Sequence, residues 1–193
     1  MLIKSLLLFL LLLNQCYAID ILEIIAVRLV KTPITQGEFR QEKHLKFLSK
    51  PLLSSGTFTY HQSKGVIWKT LSPVTSTLLV NDVKLSVGQG EQAIPPAFGR
   101  VFKALLGGEL KRLGETFDIT GKDQASGWQV HMTPKDEMLK KIIRSIRLTG
   151  DSELRLLMLE EVNGNSTRIQ FAEISHPDQL SLTQQSDFER VSP

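Results

Sequence analysis

Histidines, one cysteine and neighbouring acidic pairs are the side chains that could carry catalytic or metal chemistry in this 193-residue sequence. The four histidines, His44, His61, His131 and His176, stand apart from one another. None belongs to an H-x-x-x-H or H-E-x-x-H pair, the spacing that brings two metal ligands onto one helix face. The sequence also lacks a G-x-S-x-G elbow and a P-loop. We therefore predict no catalytic residue, no metal site and no cofactor, although acids distant in sequence could still meet in the fold.

Aromatic side chains at alternate positions offer a different chemistry, which is the burial of apolar surface. Phe58 and Tyr60 alternate with threonines, and Val66 and Trp68 alternate with Ile67 and Lys69 in the next segment. This period of two is typical of β-strands that have one apolar face. Because glycine tolerates a positive φ angle, a glycine at position 65 can turn the chain between the two strands. The pattern predicts an apolar pocket.

A meander of antiparallel strands must position these aromatic residues. Pro73 ends the second strand because proline has no amide hydrogen for a ladder. A β-branched, apolar run at 75–80 forms a third strand, and the Asn81-Asp82 pair turns it into a fourth at 83–87. The predicted pocket lining from these strands is Phe58, Tyr60, Val66, Trp68 and Leu79. The parity at Leu79 depends on a run that is apolar on both faces.

The second half of the chain predicts more strands with short turns, at 116–121, 127–132, 154–159 and 166–174. Asn163-Gly164 indicates a hairpin with a type I′ turn. The stretch 135–148 fits both a helical stripe and a strand. Residues 180–182 could add a short last strand, and the tail at 184–193 is expected to be loosely held. We count nine to eleven strands, which favours a curled antiparallel sheet over βαβ units.

The first 18 residues have the features of a secretory signal peptide. A basic Lys4 precedes an apolar run at 5–13, and Cys16-Tyr17-Ala18 provides small residues at the −3 and −1 positions. The run is shorter than the roughly 20 residues of a spanning helix, so no stable membrane insertion is expected. An uncleaved anchor and lipidation of Cys16 stay open as alternatives. Residues 19–193 then form a single domain without cysteine, which excludes disulfides and thiol catalysis.

The formal net charge of +3 is spread along the chain without a long basic run. Nucleic-acid binding is therefore not predicted, because such proteins concentrate positive charge on one face.

Two amphipathic helices accompany the strands. The first lies within 19–30, with Asp20 as a helix cap and one apolar stripe that consists of Leu22, Ile25, Ala26, Leu29 and Val30. The second lies at 95–108, between a proline pair and a glycine pair. Its apolar face contains Phe98, Phe102 and Leu105. A helix packed on an ordinary core and a helix that closes a cavity are both compatible with this pattern.

The order of these features resembles the LolA-type outer-membrane lipoprotein carriers. In that family an F-x-Q segment follows the first helix and precedes an aromatic strand pair and an S-x-L-V-x-D run. The matching segments here are F-R-Q at 39–41, G-T-F-T-Y at 56–60, G-V-I-W at 65–68 and S-T-L-L-V-N-D-V-K-L at 76–85. A strand–Asn-Gly–strand hairpin followed by T-x-I-x-F is similar to the family's C-terminal half. The resemblance also favours a strand at 142–148.

The resemblance implies a mainly β, α+β fold in which short helices form a lid over a curled, half-open antiparallel β-barrel. It implies a monomeric periplasmic carrier that takes up lipoprotein acyl chains or another lipidated cargo. An inner-membrane exporter and an outer-membrane acceptor are the implied partners. Phe98, Phe102 and Leu105 would then face the cavity, with Arg100 and Lys103 outward.

This sequence departs from the family in one motif. Better-known members have an arginine followed by proline just upstream of the second aromatic strand, and that arginine contributes to lid closure. Here the segment reads Q-S-K-G at 62–65, so Lys64 is the only candidate for the latch. A lysine supplies charge but not the planar, bidentate hydrogen bonding of a guanidinium. The cargo could thus be a glycolipid or another amphiphile.

Two other classes of function remain open. One is an anchored or sensing lipid-binding module, for which acylation of Cys16 would be the discriminating observation. The other is a lipid-modifying enzyme, which requires a convergent acid–base or nucleophile set in the pocket.

Overall fold

The computed structural model of this protein describes residues 21–80, 85–87, 101, 103–104 and 110–191. Ten antiparallel strands form one sheet in these residues. The strands are β1 Ile34–His44, β2 Leu52–His61, β3 Gly65–Ser72, β4 Ser76–Val80, β5 Leu85–Val87, β6 Phe117–Gln124, β7 Gly127–Pro134, β8 Ile143–Gly150, β9 Leu154–Glu161 and β10 Ser166–Ser175. The helices with full bounds are α1 Ile21–Arg28, α2 Lys111–Thr116, α3 Glu137–Lys140 and α4 Leu182–Val191.

The strand order is β5-β4-β3-β2-β1-β10-β9-β8-β7-β6. Two meanders of sequential strands are therefore joined where β1 pairs with β10. The described sheet is not closed, because β5 and β6 are its two edges. The predicted fold class, a mainly β, α+β protein with a curled antiparallel sheet and short helices, is confirmed.

The two faces of the sheet have different partners. We call the side that bears Phe58 and Trp68 the inner face, and the side that bears Ile67 and Leu79 the outer face. The inner face forms one continuous apolar cluster with the helices, because Leu22 and Ile25 of α1 and Leu113 of α2 belong to it. The predicted stripe of the first helix is thus confirmed for its buried members. Val30, which follows the end of α1, is exposed instead.

The stretch that fitted both helix and strand contains one of each. Asp136 caps α3, because its Oδ1 accepts hydrogen bonds from the amides of Met138 at 2.9 Å and Leu139 at 3.0 Å. The helix ends after one turn and β8 begins at Ile143, as the strand prediction for 142–148 requires. A register shift against β9 after Ile143 keeps both Ile143 and Ile146 buried, which explains the mixed periodicity.

The Asn163-Gly164 hairpin is confirmed, but its turn type is not. Gly164 has φ 89°, whereas Asn163 does not take a positive φ. The amide of Gly164 donates to the Glu161 carbonyl at 3.2 Å, and the Glu161 amide donates to the Asn165 carbonyl at 2.9 Å. This is the longer hairpin loop in which a tight turn is followed by a left-handed glycine.

The prediction of a last strand at 180–182 and a loose tail is wrong, since this segment caps and forms α4. The motif S-L-T-Q at 181–184 is a capping box. The Ser181 amide donates to Gln184 Oε1 at 2.9 Å, and the Gln184 amide donates to Ser181 Oγ at 3.2 Å. Phe188, only 2% exposed, packs with Ile67 and Leu79 on the outer face.

Several predictions fall on residues outside the described ranges. They concern the leader at 1–18, the Asp20 cap, the turn at Asn81-Asp82 and most of the helix at 95–108. Within the described chain, no helix combines the length and the apolar character needed to cross a membrane.

Candidate functional site

Four of the predicted lining residues meet on the inner face. Phe58 pairs directly with Trp68 across β2 and β3, and Tyr60 pairs with Val66. The Phe58 and Trp68 rings lie 6.4 Å apart between centroids. All four side chains are between 1% and 4% exposed. The alternation seen in the sequence therefore does place them on one buried, apolar surface.

Two further aromatic residues complete this surface, and sequence reasoning did not include them. Phe39 of β1 lies opposite Phe171 of β10. The Phe39 ring stacks on Trp68 with centroids 3.8 Å apart, and the Phe171 ring meets Phe58 edge to face at 5.7 Å. Offset and edge-to-face pairs add about 0.5–1.5 kcal/mol beyond the area that they bury. The signal for Phe171 was present in its T-x-I-x-F strand, but its neighbour on β1 is distant in sequence.

A glycine on β1 makes room for one ring of this cluster. Gly37 lies opposite Phe58 in the register of β1 and β2. A Cβ atom at position 37 would lie 2.9 Å from Cε1 of Phe58 and 2.9 Å from the Ala172 carbonyl oxygen. The Phe58 ring thus occupies the space that a side chain at position 37 would need.

The prediction for Leu79 is wrong about its face. Leu78 lies opposite Trp68, whereas Leu79 lies opposite Ile67. Residues directly across an antiparallel pair share a face, so Leu78 joins the inner cluster and Leu79 joins the outer one. Leu79 is buried because α4 covers the outer face at this point, whereas Leu78 is buried within the inner cluster.

Lys64 also lies away from the inner cluster. Its Nζ atom is 5.9 Å from the centroid of the Phe188 ring, a distance suited to a cation–π contact. The His61 ring meets the same Phe188 edge to face at 6.2 Å. Burial and then the charge of Lys64 hold the pKa of His61 below its ordinary value. This position does not support a latch on the inner face.

The described part of the second predicted helix reaches the inner cluster. Val101, Lys103 and Ala104 are helical. Val101 and Ala104 are buried in the inner cluster, at 0% and 7% exposure. Phe98, Phe102 and Leu105, the predicted lid contacts, lie outside the described residues, as does Arg100.

A groove of about 390 Å³ lies between α1 and the start of α2. Leu22, Ala26 and Leu110 provide its apolar part. Its remaining lining residues are Glu23, Lys31, Lys111 and Arg112. The groove thus lies between helices that cover the inner face.

A polar cluster ties α1 and β1 to the rest of the sheet. His176 Nε2 lies 2.6 Å from Glu153 Oε1, and its Nδ1 lies 2.9 Å from Thr32 Oγ1. The Thr32 hydroxyl also donates to the Ile34 carbonyl oxygen at 2.7 Å. Because these groups connect three segments and Thr32 is hydrogen-bonded to the backbone, we interpret the cluster as structural.

Acidic groups elsewhere are held by local contacts. Burial raises the pKa of Asp151, but hydrogen bonds from Arg155 and the Glu153 amide outweigh it, so this pKa lies below its ordinary value. In the described ranges, no group of three His, Cys, Asp or Glu side chains is arranged to hold a metal ion.

The sequence matches one known protein family over most of its length. The family described as "Outer membrane lipoprotein carrier protein LolA-like" matches residues 14–178 of the sequence. The chain belongs to this LolA-like family. No curated protein matches the LolA-like chain.

Solved structures related to this LolA-like chain are distant in sequence. A LolA superfamily protein from Nitrosomonas europaea shares 10% identity and a TM-score of 0.48, over 82% of this chain and 93% of that one. The MucA/MucB complex from Pseudomonas aeruginosa shares 15% identity and a TM-score of 0.48, over 84% of this chain and 59% of that one. A further structure, of MucB in complex with MucA(peri), shares 14% identity and a TM-score of 0.47. This match covers 84% of the LolA-like chain but only 58% of the MucB chain.

Proposed function

We propose that this LolA-like protein is a periplasmic carrier that shields the acyl chains of lipoproteins, or of another lipidated amphiphile, and delivers them towards the outer membrane. The proposal includes secretion by the predicted signal peptide at 1–18. It also includes an inner-membrane exporter and an outer-membrane acceptor as partners. A non-enzymatic role is part of it, because the chemistry offered by the inner face is burial.

The single observation that carries the proposal is the continuous apolar cluster shared by the inner face and the covering helices. Each methylene that leaves water contributes about 0.8 kcal/mol. Several acyl chains therefore cannot cross an aqueous compartment without such a surface. Phe39, Phe58 and Trp68 supply aromatic area, and α1 and α2 enclose it.

The described side chains of the cluster are buried against one another, so cargo must displace part of them. Trp68 is stacked on Phe39, and Val101 is fully buried. The groove of about 390 Å³ between α1 and α2 is at the low end of the roughly 300–1,000 Å³ typical of ligand sites. Movement of the helices over the inner face would enlarge it. Tighter closure of the helices over the inner face then lowers the affinity for cargo.

Leu78 and Leu79 provide a matched pair for testing this site. The two residues are chemically identical, adjacent and buried, but they face opposite sides of the sheet. Leu78→Ala should change the affinity for a diacylated peptide several-fold, because it alters the inner face beside Trp68. Each variant should lower the free energy of unfolding by about 2–5 kcal/mol, but Leu79→Ala should leave the affinity unchanged.

The measurement is quenching of tryptophan fluorescence by a diacylated peptide with brominated chains, with the unacylated peptide as control. A folded wild-type protein that shows no acyl-dependent quenching would contradict the carrier proposal. Equal changes of affinity in both leucine variants would contradict the placement of the site on the inner face.

The lid is a separate part of the proposal and concerns Phe98, Phe102 and Leu105. Phe102→Ala should weaken the closed, empty state and raise the occupancy by bound lipid. The measurement combines hydrophobic-probe binding with the unfolding midpoint of wild type and variant. A variant that unfolds earlier but binds no more probe while folded would indicate a plain core helix.

A further inference from the structure

Most of the large apolar side chains that are exposed in the described part of the chain lie at one end of the sheet. Single exposed apolar residues are ordinary, but a contiguous group marks an interaction site. We call this group the end patch. Its members are Phe47, Leu48, Leu52, Leu53, Leu71, Val74, Met138, Ile142 and Val162.

The strand register brings these residues to the same end. The end patch is formed where β1 turns into β2, where β3 turns into β4, where β9 turns into β10, and where α3 leads into β8. The Lys46 amide donates to Asn165 Oδ1 at 3.0 Å, which joins the first and third of these turns. The Val162 amide donates to the Ile142 carbonyl at 3.0 Å, which joins the third turn to β8.

The charges around the end patch are mainly positive and available. No Asp or Glu occurs between Lys43 and Asn81, so the β1–β2 and β3–β4 turns contain no acid. Lys46 and Lys50 are exposed beside Phe47 in the first turn. Of the acids at this end, Asp136 caps α3, Glu137 pairs with Lys140 at 2.8 Å and Glu161 accepts a hydrogen bond from Asn163 at 3.0 Å. Glu42 lies across from Leu53 on one side and across from Arg168 on the other.

We propose that the end patch docks the protein on the surface of an anionic lipid bilayer. Phe47, at 79% exposure, and Leu53, at 62%, enter the interfacial layer, while Lys46 and Lys50 contact lipid phosphates. Lysine suits this role because its long stem lies along apolar surface while its ammonium reaches charged groups. The binding is peripheral and reversible, since only a few side chains of the end patch insert.

A bilayer fits the end patch better than a protein partner because of its composition. Long aliphatic side chains on turns, between lysines, match a surface that is apolar below and negatively charged above. The strand residues of the end patch lie on β2 and β3, which are paired on both sides, so the patch offers no free strand edge to a partner's strand. The lysines of the end patch thus complement the negative charge of an anionic lipid surface.

Docking at the end patch is independent of the proposed cargo site. The α1 segment is fixed at the opposite end of the strands, where the Val30 amide donates to the Ser152 carbonyl at 3.0 Å in the β8–β9 turn. Arg28 at the end of α1 pairs with Asp123 near the β6–β7 turn at 2.8 Å. Vesicle binding without cargo therefore tests the patch alone, and its failure would leave acyl-chain binding untouched.

The experiment is co-flotation of the protein, as isolated from cells, with vesicles of phosphatidylcholine or of phosphatidylcholine mixed with phosphatidylglycerol. Binding should require the anionic lipid and should weaken as salt is raised. The double variant Phe47→Ser, Leu53→Ser should bind the anionic vesicles at least about tenfold more weakly than the wild type, because two large side chains no longer leave water. Val27→Ser is the matched control, since Val27 is 87% exposed on α1, away from the patch.

Circular dichroism of each variant confirms that it is folded before binding is compared. Lys46→Gln with Lys50→Gln should reduce binding to anionic vesicles and abolish most of its salt dependence. Undiminished binding by the double serine variant would overturn the proposal, as would equal losses in the Val27→Ser control. Self-association that depends on Phe47 and Leu53, without vesicle binding, would overturn it in favour of a protein interface.

Discussion

Phe39 and Trp68 stack with ring centroids 3.8 Å apart and an angle of 26° between their planes, although strand β2 lies between their strands. The residue of β2 that lies opposite Phe39 is Gly56, which has no side chain. The two rings can therefore meet over β2, so that the inner face is continuous from β1 to β3.

Replacing Phe39 by leucine should remove this stack while keeping an apolar side chain. The loss of the aromatic pair should lower the free energy of unfolding by about 1 kcal/mol, and the near-ultraviolet circular dichroism from Trp68 should decrease. Phe171→Leu is the control, because its ring meets Trp68 only edge to face at 6.3 Å. An equal spectral change in both variants would contradict a specific Phe39–Trp68 stack.

Gly56→Ala should be strongly destabilising, by about 2–3 kcal/mol, because no side chain fits there. An added Cβ would lie 1.9 Å from the Lys69 carbonyl oxygen, a backbone atom that cannot rotate away. Gly114→Ala in α2 is the matched control, since its Cβ would lie 3.8 Å from Leu22 Cδ1. We expect this second change to be neutral or slightly stabilising in urea unfolding, as alanine favours helices. Similar losses at both positions would contradict the contact at Gly56.

Ser181→Ala should loosen α4 by removing its capping box, at a cost of about 1 kcal/mol. The Gln184 side chain also donates to Gln36 Oε1 at 2.6 Å and to Thr59 Oγ1 at 3.1 Å, so its position affects the contact with the sheet. Amide hydrogen exchange in α4 should accelerate more than exchange in β1. Thr183→Ala, an exposed change in the same turn, should have little effect, and equal acceleration by it would argue against the cap.

The stability of the protein should decrease as pH falls through the range in which His61 titrates. Burial and Lys64 lower the pKa of His61 in the folded state, so the unfolded chain binds more protons below about pH 6.5. Stability is therefore present above that pH and is lost as pH falls towards the folded-state pKa. The neutral ring also accepts a hydrogen bond from the Ser63 amide at Nδ1, at 3.2 Å.

His61→Gln should reduce the acid-side decrease, measured as the unfolding midpoint between pH 8 and pH 5. His44→Gln, an exposed change on β1, serves as the control and should leave the decrease intact. A profile of the His61→Gln variant that parallels the wild type would show that another group causes the loss.

The capping box of α4 is a feature that the sequence contains before any folding is considered. S-L-T-Q at 181–184 is a local signal, and it predicts a helix start without any tertiary information. The low apolar content of the segment favours a short strand and a loose tail instead. Its helix depends on one buried ring, Phe188, whose partners Ile67 and Leu79 are distant in sequence.

Much of the fold was determined by the sequence alone. Period-two alternation, glycine turns and proline breaks predicted the strands of both meanders, because these signals act between neighbouring residues. The same alternation placed Phe58, Tyr60, Val66 and Trp68 on one surface, and their order along the chain indicated the LolA-like family.

Only the tertiary structure determines which of two adjacent apolar side chains on β4 lies on the inner face. Leu78 and Leu79 cannot be distinguished by pattern, since α4 buries the outer face as fully as the helices bury the inner one. Likewise, Phe171 meets Phe39 only because β1 pairs with β10, the strand that joins the two meanders. Pairing between distant segments depends on the whole sheet being assembled, so no local pattern in the sequence contains it.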